Sequence, residues 1–258
     1  MTASTTTTFG GLPFVLSLKT EEQKSTYLKN LFAETYIKDI KDRYKIRHED
    51  EPEDLLNIIS SSIGSLTNPA KLANTFKSVK NINNNADTLK SYLEYLCDSF
   101  LVTKAMQYDV KSKRYIDTPY KYYFTDTGLR NARLNFRQDE KTHLMENVIF
   151  NDLMIRGFNV DVGVVPVVKN GDDGKQHRSQ LEIDFVCNQG SRRYYIQSAF
   201  LMDTDEKRRQ EQSSLLNVRD SFKKIIVTGE DSLIHRNEQG ITTMSIYDFL
   251  LNPDSLEL

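Results

Sequence analysis

The sequence lacks the features of several large classes of protein. It has two cysteines, Cys97 and Cys187, which are too few for a disulfide framework and do not have zinc-ligand spacing. No apolar run approaches the ~18 residues of a membrane span. The N-terminus does not have the charged-then-apolar pattern of a signal peptide, and the four histidines form no metal pattern. We therefore expect a cytoplasmic protein without a membrane partner.

A strong excess of one charge is also missing. The 34 basic and 36 acidic side chains leave a net charge of −2, which argues against a general binder of polyanions but leaves room for a local basic patch. The length of 258 residues suggests one or two domains and allows a core without disulfides or metal.

The first half of the chain predicts helices. Apolar residues recur at helical spacing in 20–44, in 53–66 and again after Asn68-Pro69, a cap followed by a favoured first-turn proline. Pro52 is interpreted as a break. A further helix is expected to begin at Asp87. The apolar stripe of that helix should consist of Leu89, Leu93, Leu96 and Phe100.

A hairpin and a second kind of pattern follow. Strand-like runs at 101–110 and 114–124 are joined by a polar turn, and three helices before a hairpin are the order of a winged helix. Beyond residue 140 the pattern becomes α-β-β-β-α-β. There the chain has a loop at 170–174, and Asp203 with Glu206 resembles a capping box.

Four polar residues of the second half suggest a carboxylate site. Glu146 lies in a predicted helix, Glu182 and Asp184 share one face of a strand, and Gln197 lies on the next strand. Restriction-endonuclease-like folds gather acidic groups in this way to hold Mg²⁺, and a lysine helps the attacking water. The expected second motif, (Asp/Glu)-x-Lys, is here Gln197-Ser198-Ala199.

We interpret this site as vestigial. A neutral amide binds Mg²⁺ more weakly than a carboxylate, and alanine has no group with which to orient water. Each carboxylate also has an ordinary interpretation as a solvated surface residue, although Asp184 lies in a run that should be buried and would then need a partner. If the site were active, Glu146 and Asp184 would be the metal ligands, and Lys207 or Arg208 would supply the missing cation.

Several segments together resemble a known family. They are Lys121-Tyr122-Tyr123-Phe124-Thr125-Asp126-Thr127-Gly128-Leu129-Arg130-Asn131-Ala132, Leu144-Met145-Glu146-Asn147, Glu182-Ile183-Asp184-Phe185-Val186 and Tyr195-Ile196-Gln197. The chain over about 20–251 is similar to the C-terminal region of unknown function that follows an AAA+ ATPase module in many bacterial and archaeal ATP-binding proteins.

The resemblance implies a fold and a domain organisation. The fold class is α/β (α+β), a winged-helix segment followed by a restriction-endonuclease-like αβββαβ domain. Residues 1–19 would be a disordered tail and the remnant of a preceding module, 20–135 the helical and winged-helix domain, and 136–258 the nuclease-like domain.

The ATPase module itself is missing. Gly10-Gly11-Leu12-Pro13 resembles the segment that ends such a module, but no P-loop is present, since 171–176 has its glycines and lysine at the wrong spacing. We expect no ATP hydrolysis, and a chain that is either truncated or a detached C-terminal half.

The region 101–137 is basic. It has eight basic and three acidic side chains, an excess of five positive charges, with tyrosines between them. Phosphate contact by a basic hairpin tip is therefore expected. The candidate contacts are Lys111, Lys113, Arg114 and Lys121. The preceding helix carries Glu94 and Asp98 on its outer face, which makes base-specific readout doubtful because phosphates repel carboxylates.

Three hypotheses follow. The first is a non-catalytic DNA-binding or regulatory module with a degenerate nuclease-like site and no cofactor. The second is a Mg²⁺-dependent nuclease that uses Glu146, Glu182 and Asp184. The third is a protein-interaction half that docks onto a separate AAA+ ATPase. Gln197 and Ala199 stand where the nuclease motif has an acidic residue and a lysine, and they favour a protein that is not an enzyme.

Overall fold

The computed structural model describes residues 8–46, 50–80, 85–137, 140–170 and 176–258. They divide into two compact units. The first consists of Met1–Lys104 and Pro119–Asn147, and the second of Ala105–Thr118 and Val148–Leu258. The predicted domain boundary at 135 stays a prediction. Residues 1–7 of the predicted disordered tail and 171–174 of the predicted loop lie outside the described residues.

The first unit is largely helical. Its helices are α1 (Pro13–Ser17), α2 (Glu21–Asn30), α3 (Lys38–Tyr44), α4 (Asp50–Ser61), α5 (Pro69–Lys80), α6 (Ala86–Asp98) and α7 (Thr127–Arg133), with a π-helical segment, Leu31–Ile37, between α2 and α3. The helices expected in the first hundred residues are thereby confirmed. The Asn68 cap is confirmed as well, because its Oδ1 accepts a hydrogen bond from the Lys71 N–H at 2.7 Å.

The break predicted around Pro52 falls where α3 ends at Tyr44 and α4 begins at Asp50. Pro52 itself lies in the first turn of α4, where its missing N–H removes no hydrogen bond. One detail of these helices was predicted wrongly. Leu89, Leu93 and Leu96 are buried, but Phe100 is 79% exposed. Because α6 ends at Asp98 and Phe100 adopts a left-handed conformation, φ 58°, its side chain leaves the apolar stripe.

The second half of the chain forms a mixed sheet with helices. Its elements are β1 (Val102–Asp109), β2 (Arg114–Phe124), α8 (Lys141–Ile155), β3 (Asn159–Asn170), β4 (Gln176–Gln189), β5 (Arg192–Ala199), α9 (Asp205–Leu216), β6 (Lys223–Thr228), β7 (His235–Arg236), β8 (Ile241–Ser245) and α10 (Ile246–Leu251). The predicted α-β-β-β-α-β order is confirmed by α8 to β6. The chain is therefore mixed α/β, and no helix in its described part is both long and apolar enough to cross a bilayer.

The sheet has eight strands in the order β2-β1-β3-β4-β5-β6-β8-β7. Strands β3, β4 and β5 pair antiparallel, whereas β5, β6 and β8 run parallel. The tip of the β1–β2 hairpin is part of this sheet, because Gln107–Asp109 pairs in parallel with Val162–Val164. The β1 strand of the predicted hairpin is therefore paired with β3 near the turn and does not have a free edge there.

The centre of the sheet is buried on both faces. All five residues of β4 from Ile183 to Cys187 are buried, so the run around Asp184 is buried as its apolar neighbours predicted. One face is covered in part by α9, whose Leu215 joins Tyr195 and Ile226 in one core. The predicted cap at Asp203 is wrong. Thr204 caps α9, its Oγ1 accepting a hydrogen bond from the Lys207 N–H.

Candidate functional site

The segment that carries most of the family resemblance, 121–132, is a buried polar network of the first unit. Lys121 is 3% exposed, and its Nζ donates to Glu146 Oε1 at 2.8 Å. The Tyr123 hydroxyl donates to the same oxygen at 2.6 Å. Lys121 therefore does not present its ammonium group to a phosphate, contrary to the nucleic-acid role predicted for it. Glu146 has an ion-pair partner within its own unit.

Asp126 connects this segment to the glycines near the N-terminus. It caps α7, accepting from the Leu129 N–H at 3.1 Å, and its other oxygen accepts from the Gly11 N–H at 2.8 Å. A Cβ at Gly10 would lie 2.1 Å from Asp126 Oδ1, so only glycine fits there. Burial raises the pKa of Asp126, while the N–H groups that bond it lower the pKa in turn.

Arg130 and Asn147 complete the network. Arg130 is fully buried; its Nε donates to the Ser60 carbonyl at 2.8 Å and its guanidinium pairs with Glu140. Burial lowers the pKa of Arg130, and the Glu140 charge raises it. The Asn147 amide bonds both the N–H and the C=O of Phe124, at 2.9 and 2.7 Å. The recognisable segments of the first unit therefore stabilise its fold.

In the second unit, Asp184 is buried, as its sequence context suggested, and it has a partner. It is 7% exposed, and its Oδ2 accepts a hydrogen bond from the Ser198 backbone N–H at 2.8 Å. The backbone pairing of β4 and β5 extends only to Phe185 and Ile196. The carboxylate of Asp184 thus bonds β5 just beyond the point where the two strands stop pairing. Glu182 is half-buried.

Helix α9 brings a carboxylate to Gln197 that sequence reasoning missed. Gln197 Nε2 donates to Glu211 Oε2 at 3.3 Å, and the Ser214 hydroxyl donates to Gln197 Oε1 at 3.4 Å. Burial raises the pKa of Glu211, and the Gln197 hydrogen bond opposes this shift. Glu211 lies four residues before the buried Leu215, and that helical spacing is the signal that could have identified it.

The predicted acidic residues are divided between the units. Glu146 belongs to the first unit, whereas Glu182, Asp184 and Gln197 belong to the second. Among the described residues, no group of three or more His, Cys, Asp or Glu side chains is placed to hold a metal ion. Lys207 and Arg208 are exposed, and Arg208 pairs with Asp205 at 3.1 Å.

The hairpin turn of the second unit displays three cations. Asp109 Oδ1 accepts hydrogen bonds from the N–H groups of Lys111 and Ser112, both at 2.9 Å, and the Asp109 carbonyl accepts from the Lys113 N–H at 2.8 Å. These bonds fix the turn, while the side chains of Lys111, Lys113 and Arg114 are exposed. Within the described chain none of the three forms an ion pair.

The chain belongs to the family described as "Domain of unknown function (DUF8612)", which matches residues 3–140. It is also similar to an uncharacterized protein of Haemophilus influenzae, with 31% identity over 244 residues. That match covers 94% of this chain and 56% of the relative, so the chain spans just over half the length of that relative. No solved structure matches the chain.

Proposed function

We propose that the second unit binds the phosphate backbone of DNA through its hairpin turn. The observation that carries this proposal is the exposed, unpaired state of Lys111, Lys113 and Arg114 on a turn fixed by Asp109. Cations of this kind contact phosphates and release condensed counterions. The turn would act as a non-catalytic, regulatory contact, and no cofactor is needed for it.

Binding should not depend on base sequence. Helix α6, which a winged helix would use for recognition, exposes Lys90, Glu94 and Asp98, and its two carboxylates repel phosphate. The winged-helix plus restriction-endonuclease-like arrangement implied by the family resemblance supports nucleic acid as the partner. Docking onto a separate AAA+ ATPase stays a prediction from that same resemblance.

The test is the salt dependence of binding to a fluorescent DNA duplex. Each phosphate neutralised contributes a slope of about −0.9 in log K against log salt. Replacement of all three cations by alanine should therefore flatten the slope by about 2–3 units. The matched control replaces Lys207, Arg208 and Arg209, which removes the same charge from α9, and should leave the slope nearly unchanged.

Two results would refute the proposal. One is an unchanged slope in the hairpin variant, and the other is no binding of natural protein at low salt. If the α9 control flattens the slope equally, the binding reflects net charge rather than the hairpin, which also contradicts the proposal.

A second candidate, a Mg²⁺-dependent nuclease, is favoured by the contact between Gln197 and Glu211. In this proposal Asp184 and Glu211 hold the ion, which keeps several waters. Ala199 is 2% exposed, so a lysine at that position would overpack the core. Gln197→Glu is therefore a better test than Ala199→Lys. We expect this variant to bind Mn²⁺ more tightly than the natural protein in a calorimetric titration. Plasmid nicking that disappears in Asp184→Asn would establish the nuclease, and its absence in the natural protein would reject it.

A further inference from the structure

Four side chains of the second unit form a continuous row with an exposed aromatic ring at each end. They are Tyr115, Tyr108, Arg193 and Phe222. Tyr115 is 57% exposed and its ring lies against Tyr108, 5.4 Å between centroids. The guanidinium of Arg193 is 5.1 Å from the Tyr108 ring and 5.4 Å from the ring of Phe222. Phe222 is itself 40% exposed. The row therefore begins and ends on rings that solvent reaches.

Hydrogen bonds hold the row in place. The Tyr115 hydroxyl donates to Asp161 Oδ2 at 3.3 Å, Arg193 Nε donates to Asn188 Oδ1 at 2.7 Å, and Arg193 Nη2 donates to the Tyr108 hydroxyl at 3.3 Å. Rings held in this way lose little further freedom when a ligand stacks on them.

A buried carboxylate, Asp161, lies beside the row and interacts with Arg193. Asp161 is 7% exposed, and burial raises its pKa, while the Arg193 charge and the Tyr115 hydrogen bond lower it. The positive charge of Arg193 thus partly offsets the carboxylate that bonds the Tyr115 hydroxyl. Tyr115 directly follows Arg114 in the chain, so the exposed cations of the turn and the first ring are contiguous.

We infer that this surface binds single-stranded nucleic acid, with bases stacked on Tyr115 and Phe222 and phosphates at Lys111, Lys113 and Arg114. The inference rests on the proposed function, since the same cations supply the backbone contact. Bases in a duplex expose only their edges in the grooves, whereas an unpaired base offers a whole face to an aromatic ring. Stacking of this kind combined with a cationic track is how proteins bind single strands without sequence preference.

The experiment compares three fluorescent probes over the same series of salt concentrations. They are a 15-nucleotide oligo-dT, an oligo-rU of the same length, and a 15-base-pair duplex. We expect one or both single strands to bind more tightly than the duplex. Tyr115→Ala and Phe222→Ala should each weaken single-strand binding roughly five- to hundredfold, the range of one base stack, with no change in duplex affinity or in the salt slope.

The controls separate stacking from other effects. Tyr115→Phe keeps the ring and loses the hydroxyl, and Phe222→Tyr keeps the ring; both should bind single strands almost as the natural protein does. Tyr247, 46% exposed in the same unit, provides an unrelated exposed ring, and Tyr247→Ala should have no effect. Circular dichroism confirms that each variant is folded, and Phe222→Leu replaces Phe222→Ala if that variant does not fold.

The outcomes distinguish the two proposals. If all probes bind with salt-dependent affinity but the duplex binds equally well, or the ring variants lose nothing, the single-strand inference is overturned and backbone binding stands. If no probe binds at low salt, backbone binding itself fails.

Discussion

The basic side chains of 101–137 differ in burial and pairing between the two units of the molecule. In the first unit, Lys121 and Arg130 are buried and bonded to Glu146 and Glu140. In the second unit, the cations of the hairpin turn are exposed and unpaired among the described residues. Neighbouring parts of one basic segment thus stabilise a core in one place and display charge in another.

This difference shows that the net charge of a sequence segment does not predict how much charge that segment places on the protein surface. A buried charge is tolerated only when it is paired and hydrogen-bonded, and the charges of Lys121 and Arg130 are offset by the carboxylates they pair with. Arg133 also has partners, Asn57 and Glu53, whereas Lys104 is exposed with its Nζ 4.6 Å from the centre of the Tyr120 ring. Three of the eight basic residues of the segment, Lys121, Arg130 and Arg133, therefore already have partners within the first unit.

The largest expected effect is the loss of the Lys121–Glu146 pair. Lys121→Ala removes the cation and leaves the Glu146 carboxylate buried with the Tyr123 hydroxyl as a remaining donor. We expect a decrease of about 3–5 kcal/mol in the free energy of unfolding, measured by urea denaturation. Combining Lys121→Met with Glu146→Leu should cost less than the sum of the two single changes, because no charge is then left unpaired.

The hairpin supplies the matched control for this prediction. Lys111→Ala changes the same residue type where the side chain is exposed, and the unfolding free energy should change by no more than about 0.5 kcal/mol. Equal losses in Lys121→Ala and Lys111→Ala would contradict the contrast between the two sites.

A somewhat smaller effect tests the core of the first unit. Leu93 is 2% exposed and Phe100 is 79% exposed, although both belonged to one predicted stripe. Leu93→Ala should lower the unfolding free energy by about 2–5 kcal/mol, since it leaves a cavity. Phe100→Ala is the control.

We expect Phe100→Ala to change stability by about 0.5 kcal/mol or less. A large loss in Phe100→Ala, or a negligible loss in Leu93→Ala, would show that α6 packs by another face.

Local patterns predicted the elements well because they depend on near neighbours. Helical spacing and caps such as Asn68 identified the helices of the first unit, and the order from α8 to β6 followed from alternation and turn residues. Phe100 was misjudged at a helix end, where one backbone conformation decides which way a side chain points.

The candidate site was predictable only in part. The burial of Asp184 was expected from its apolar neighbours, and its need for a partner followed from the cost of a buried charge. Glu211 was missed because its contact with Gln197 joins a helix and a strand 14 residues apart. Tyr115 and Phe222 were likewise not connected, since more than 100 residues separate them in the chain.

The sequence by itself determined the class of elements, their order and the residue types available for chemistry, because these depend on short-range periodicity and composition. Only the tertiary structure decided which charges are buried and which are displayed. Lys121 and Lys111 are chemically identical, and although the sequence placed one in a strand and the other in a turn, it did not show that Lys121 is buried and paired. The difference arises because the fold brings Glu146, 25 residues away in the chain, to Lys121. Lys111 instead lies on a turn whose backbone is fixed by hydrogen bonds to Asp109, and its side chain is exposed.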